Sequence, residues 1–160
     1  MRRVCLLLLL CAQVTAHAAP YALNWPELIP EQAHSVIPQE PALHDEQAPA
    51  AAQPAPDAPI VPALNGQQVR IPGYIVPLES TADGRVVNFF LVPYYGACIH
   101  VPPPPANQII YVQSAHPVAQ EALWQPYWVQ GTLYAERSAS ASVHAGYRLE
   151  AQQIRPYTLE

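Results

Sequence analysis

The chain has 160 residues, with seven arginines, no lysine and twelve acidic residues, for a formal charge of −5. That balance excludes nucleic-acid or anionic-lipid binding through a basic surface, because counterion release needs clustered cations. No stretch beyond the first dozen residues approaches the roughly 20 apolar residues of a membrane span, so no transmembrane helix is expected in the mature chain.

Met1-Arg2-Arg3, an apolar run from Val4 to Ala12 and the small-x-small triplet Ala16-His17-Ala18 read as a secretory signal over residues 1–18. The expected location is the periplasm. Leu8-Leu9-Leu10-Cys11 offers a lipoprotein alternative, which is disfavoured because Leu10 is too large for the position before a lipidated cysteine. Cleavage after Ala18 removes Arg2, Arg3, Cys5 and Cys11, which leaves a formal charge of −7 and one cysteine, Cys98. An unpaired thiol in an oxidising compartment is buried, ligated or reactive.

Residues 19–31 contain Leu23-Asn24-Trp25-Pro26-Glu27-Leu28-Ile29-Pro30, an apolar island expected to dock on the folded domain. Residues 32–64 form an acidic Pro/Ala-rich segment that buries too little apolar surface to offset chain entropy, and a disordered linker is expected there. His34 and His44 are read as solvated linker residues.

From residue 65 to 160 the pattern is that of one small domain. Val69, Ile71, Gly73 and Ile75 alternate with Arg70, Tyr74 and Val76, which predicts a strand. Pro72 and Pro77 mark that strand as edge or bulged, and Gly73 permits a bend. Ser80 to Gly84 predicts a hairpin turn into a second strand, Val86 to Val92. Gln108–Val112, Trp128–Glu136 and Tyr147–Ile154 predict three more strands, with a helical turn over Pro117–Leu123 and a loop over Ser138–Ser142. The expected architecture is mainly β, a small OB-like five-stranded barrel, with a small β-sandwich or open roll as the alternative.

The candidate site is the stretch from Pro93 to Gln108. Cys98 and His100, two apart in extended backbone, present sulfur and imidazole to one side, a half-site for zinc or another borderline metal. A complete site needs further ligands, for which His116 and His144 are the weak candidates, with Asn107 and Glu79 as further possibilities. A second reading makes Cys98 a reactive thiol activated by His100, with Gly96 and Asn107 supplying an oxyanion hole. A third makes it a small buried hydrophobe. Pro102, Pro103, Pro104 and Pro105 favour a stiff polyproline II rod, and with Tyr94, Tyr95 and Asn107 they form a candidate partner-docking surface.

Arg70-Ile71-Pro72-Gly73-Tyr74-Ile75-Val76-Pro77-Leu78-Glu79, the run from Phe90 to Val101 with its four prolines and Asn107-Gln108, Val129-Gln130-Gly131-Thr132-Leu133 and Ala145 to Ala151 together resemble the bacterial DUF3299 family of exported proteins, whose function is undefined. Trp25-Pro26-Glu27-Leu28-Ile29-Pro30 is similar to the short segment that precedes the domain in relatives. The resemblance implies export. The association of some relatives with zinc-uptake transporter components implies an accessory role in envelope metal handling. The leading expectation is therefore a non-enzymatic exported accessory protein that binds metal, zinc foremost, or contacts a transporter component or another exported protein. A partner-binding scaffold is the alternative, and a thiol-dependent enzyme comes third.

Overall fold

The computed structural model of the chain describes residues 19–33, 52–97, 103–119, 124–140 and 143–158. Residues 1–18, where a signal is expected, and residues 34–51 of the expected linker lie outside them. The strands are β1 (Tyr21–Ala22), β2 (Gln67–Ser80), β3 (Val86–Val92), β4 (Ile110–Val118), β5 (Pro126–Tyr134), β6 (Ser138–Ser140), β7 (Val143–Ala145) and β8 (Tyr147–Pro156).

Alternation decides which side of each long strand faces inward. Val69, Ile71 and Ile75 of β2, Phe89 and Leu91 of β3, Ile110 and Val112 of β4, Tyr127, Val129 and Leu133 of β5, and Tyr147 and Leu149 of β8 form one buried cluster. The five strands close around it. β2, β3 and β4 form an antiparallel meander, β4 runs parallel to β8, β8 pairs antiparallel with β5, and β5 returns to β2. This closed, mainly β architecture is the OB-like barrel that the strand pattern predicts.

Closure depends on β2 serving two partners. Its first half, from Gln67 to Tyr74, pairs with β5, and its second half, from Tyr74 to Ser80, pairs with β3. The exchange occurs at Gly73, where an added Cβ would meet Leu91 Cγ at 2.8 Å and the Val92 carbonyl oxygen at 2.9 Å. Only a residue without a side chain fits that corner.

Pro72 lies within this two-sided strand, and the register explains how. Backbone groups of alternate residues point to the same side of a strand, and the Arg70 carbonyl already accepts from the Leu23 amide on the β1 side at 2.9 Å. The donor that Pro72 lacks would therefore face β1, not β5. Its carbonyl accepts from the Trp25 indole Nε1 at 2.7 Å. Pro72 thus marks a local edge covered by the N-terminal segment, and Pro77 is followed by the bulge that its residue type predicts.

The N-terminal segment closes the barrel at this seam. Leu23 and Leu28 are buried in the main cluster, with Trp25 packed against it. Residues 52–61 are also attached to the domain, which differs from the expected solvated linker. Ala58 is buried. Arg137 donates to the Asp57 and Ala58 carbonyls, and the Ala106 amide donates to the Ala55 carbonyl. Backbone hydrogen bonding therefore compensates for the scarcity of apolar side chains in this stretch.

Two short elements also differ from the sequence-based expectation. Pro117 and Val118 continue β4, so no helical turn starts at Pro117, and 120–123 lie outside the described residues. Pro117 is tolerated at the end of β4, where the ladder to β3 has shifted register. The expected loop after Arg137 carries a small hairpin, β6 against β7, in register Ser138 to Ala145.

Candidate functional site

The outer side of the barrel carries a second buried cluster. Phe90 and Val92 of β3 join Ala97, Ile109 and Ala145, with Tyr74, Val76 and Leu78 of β2, Tyr111 of β4 and Val143 of β7 packed against them. The sequence predicts it only in outline: the off-core positions of β2 and β3 are apolar or aromatic, where a solvated face would be polar. The loop that leaves β3 at Pro93 and the β6–β7 hairpin supply the cover.

Tyr94 and Tyr95 stand at the rim, 41% and 49% exposed. The Tyr95 ring lies 6.2 Å from that of Tyr74, tilted by 57°, and Phe90 meets Tyr111 edge-on at 6.3 Å. These spacings fall in the range of attractive aromatic pairs. Gly96 then takes φ 84°, which turns the chain back so that Ala97 is fully buried. The result is an aromatic rim held on an apolar floor.

Cys98, His100 and Pro102 lie outside the described residues. The rest of the proline run is not a free rod. Pro104 is buried and its carbonyl accepts from the Gln53 side-chain amide at 2.9 Å. The same Gln53 donates to the His144 carbonyl and accepts from the His144 amide, both at 2.8 Å. Pro103 and Pro105 are half-buried. Pro104, a residue of the candidate docking surface, is thus buried beside Gln53.

Asn107 is likewise turned inward. It is 5% exposed, and its Nδ2 donates to the Pro59 carbonyl at 2.9 Å. Neighbouring Gln108 donates to the Trp25 carbonyl at 3.0 Å. These two amides fasten residues 52–61 and the N-terminal segment to the barrel, so Asn107 has a structural role in place of the expected partner-facing one.

The histidine candidates separate. His144 sits on β7 just before Ala145, a member of the outer cluster that includes Ala97, the residue preceding Cys98. His116 lies near the far end of β4. β4 and β8 run parallel with Ile110 beside Tyr147, so His116 is six residues up the strand from the His144 end, roughly 20 Å at strand rise. Both imidazoles are exposed. Among the described residues no group of three or more His, Cys, Asp or Glu side chains is placed to hold a metal. Glu79, a further candidate ligand, accepts from the Asn88 side-chain amide at 2.5 Å.

Comparison with known proteins now adds to the geometry. Residues 25–156 match the family described as protein of unknown function (DUF3299). The chain belongs to the DUF3299 family. It is similar to the crystal structure of a DUF3299 family protein from Pseudomonas aeruginosa PAO1, with 49% sequence identity and a TM-score of 0.79 over 89% of this chain and 99% of that one. No curated protein matches the chain significantly.

The DUF3299 match begins at Trp25, so it takes in the docking segment as well as the barrel. Trp25 bonds to β2 and to Gln108, and the Tyr147 hydroxyl donates to the Leu28 carbonyl at 2.8 Å. Burial pushes the Tyr147 phenol up from its ordinary value. No helix among the described residues is long and apolar enough to cross a membrane.

Proposed function

We infer that this DUF3299 protein is an exported, non-enzymatic binding protein that engages another envelope protein through Tyr94 and Tyr95, exposed at the rim of the covered outer face of β2, β3 and β4. The observation that carries the reading is the pair Tyr94 and Tyr95, exposed and held in place over the buried cluster of Phe90, Val92, Ala97 and Ile109. Aromatic residues at the rim of a packed apolar patch are the composition favoured at protein interfaces. In OB-like barrels the corresponding face, built on the second and third strands, is a recurrent binding surface. The family resemblance makes an exported transporter component the first partner to consider.

A photo-crosslinking residue at Tyr95 tests this in intact cells. One predominant envelope protein should be captured, and the same residue at Gln152, on β8, should not capture it. Equal capture from both positions, or none from Tyr95, overturns the reading.

Metal handling remains the second reading, favoured by one observation: Ala97 and Ala145 share a buried cluster, and they are the chain neighbours of Cys98 and His144. A site built from Cys98, His100 and His144 would need a fourth donor, from the chain or from the partner. Zinc titration with proton release as the readout separates the candidates. The pair of changes Cys98→Ser and His100→Ala should abolish binding, His144→Ala should weaken it, and His116→Ala should leave it unchanged. Binding that survives the double change removes this site.

A further inference from the structure

Along the half of β2 that pairs with β5, two of the five arginines beyond residue 18 converge on one tryptophan. Arg70 of β2 stacks over the Trp128 ring with its guanidinium carbon 4.9 Å from the ring centre. Arg155 of β8 is the direct cross-strand neighbour of Trp128, and Gln130 is flanked in the same way by Arg70 and Gln153. Tyr157 packs on Trp128 from the β8 side with ring centres 5.2 Å apart.

A bulge creates this convergence. The β5–β8 register shifts between Gln130 and Gly131, so that β8 carries one extra residue between Ala151 and Gln153. Without that residue Ile154 would face outward and Arg155 inward. With it, Ile154 packs toward the core cluster, while Gln153 and Arg155 are exposed. Bulges that re-aim side chains recur beside functional sites.

Among the described residues no carboxylate offsets these charges. Arg148 pairs with Glu136 at 3.0 Å and Glu150 at 2.7 Å, and Arg137 donates to backbone carbonyls. Arg70 and Arg155 have no carboxylate within ion-pair distance among the described residues. In a chain with a surplus of acids, two guanidinium groups on one face with no carboxylate partner among the described residues are a specific feature. Contact with the Trp128 ring also restrains the Arg70 guanidinium, whose fork of N–H donors suits a carboxylate.

Arg70, Trp128, Gln130, Gln153, Arg155, Pro156 and Thr158 line a cleft of about 170 Å³. That is smaller than a drug-sized site of roughly 300–1,000 Å³ and suits one sugar-sized unit. The neutral groups decide the ligand class. Gln130, Gln153 and Thr158 each donate and accept, which matches sugar hydroxyls that do the same, whereas a phosphate group is chiefly an acceptor. The net charge disfavours a long polyanion. We propose that this cleft on β2, β5 and β8 binds a saccharide unit bearing one carboxylate, with Arg70 and Arg155 on the carboxylate and the Gln130, Gln153 and Thr158 side chains on the hydroxyls.

Titration of the purified mature protein with glucuronic acid, followed by the NMR signals of the Trp128 indole and the arginine Nε–H groups, tests the assignment. Glucuronic acid should shift these signals saturably. Glucose should bind at least about tenfold more weakly, as when one charge-assisted contact is lost. Arg155→Ala should weaken binding by a similar factor, and Arg70→Ala with Arg155→Ala should abolish it. Both side chains are exposed, so the fold should survive, as circular dichroism would show. Tyr94→Ala with Tyr95→Ala should leave glucuronate binding unchanged, so this site and the tyrosine face stand or fall separately. Absence of saturable shifts overturns the proposal, as does equal affinity for glucose or for inorganic phosphate, or unchanged binding in the double arginine variant.

Discussion

The Tyr147 hydroxyl donates to the Leu28 carbonyl at 2.8 Å across 119 positions of sequence, and accepts from the Val61 amide at 2.7 Å. One phenol thereby joins the N-terminal segment, the end of the linker and the first residue of β8. Its ring belongs to the barrel core.

Tyr147→Phe keeps the ring and removes both bonds. The Leu28 carbonyl and Val61 amide are then left without their partner, at a cost of about 1–3 kcal/mol. Urea denaturation of the chain from residue 19 onward should show a lower midpoint with an unchanged slope. An unchanged midpoint would mean that the two segments are held by other contacts.

The same phenol sets an alkaline limit. Burial raises the Tyr147 value above its ordinary 10.0, so the folded chain favours the neutral hydroxyl. A group raised in the folded state contributes stability that is complete below the unfolded value and is lost as pH rises through the folded one. The denaturation midpoint should therefore fall above about pH 10, and more steeply than in Tyr147→Phe. Parallel profiles for the two proteins would remove Tyr147 as the cause.

Gly131 and Gly84 separate two reasons for glycine. A Cβ on Gly131 would stand 2.0 Å from the Glu150 carbonyl oxygen, so β5 and β8 must part to admit it. Gly131→Ala should cost at least about 3 kcal/mol or prevent folding. Gly84, in the turn between β2 and β3, has open space but φ +78°. Gly84→Ala should cost only about 1–2 kcal/mol. Thermal melts of the two variants check the order, and a larger loss at Gly84 would contradict it.

Period-two alternation made the barrel strands legible, since Val69, Ile71 and Ile75 announce an inward face without reference to any partner. The docking of residues 52–61 was not legible, because its attachments are mostly backbone groups of Ala55, Asp57, Ala58 and Pro59, and sequence does not encode where a carbonyl finds its donor. The Arg70, Trp128 and Arg155 constellation was hidden for a related reason. It depends on a one-residue bulge in β8, and strict alternation would have turned Arg155 to the other face. Within the candidate stretch, the sequence offers Tyr94 and Tyr95 as part of a docking surface, and both are exposed. Pro104 and Asn107 were not, because their burial is caused by a segment about fifty residues away.

Acid should loosen the N-terminal segment before the barrel. The Glu27 carboxylate accepts from the Tyr21 hydroxyl and from the Asn24 backbone and side-chain amides, the latter two at 2.8 and 2.9 Å. The Tyr21 bond is the main cause that holds Glu27 below its ordinary value of 4.5; burial opposes it, and each Asn24 bond adds a smaller lowering effect. A lowered carboxyl contributes stability that is present above the unfolded value and disappears as pH falls through the folded one. The turn from Trp25 to Leu28 follows directly, and the Trp25 indole bond to the Pro72 carbonyl reports its docking. On acidification to below about pH 4, the Trp25 indole N–H signal should leave its docked position while core methyl signals of β2 and β5 remain. Glu27→Gln still accepts hydrogen bonds but does not titrate, so its Trp25 signal should stay pH-independent over the same range. Identical profiles for the two proteins would show that Glu27 does not govern the docking, and simultaneous loss of Trp25 and core signals would show that the segment and barrel unfold as one unit.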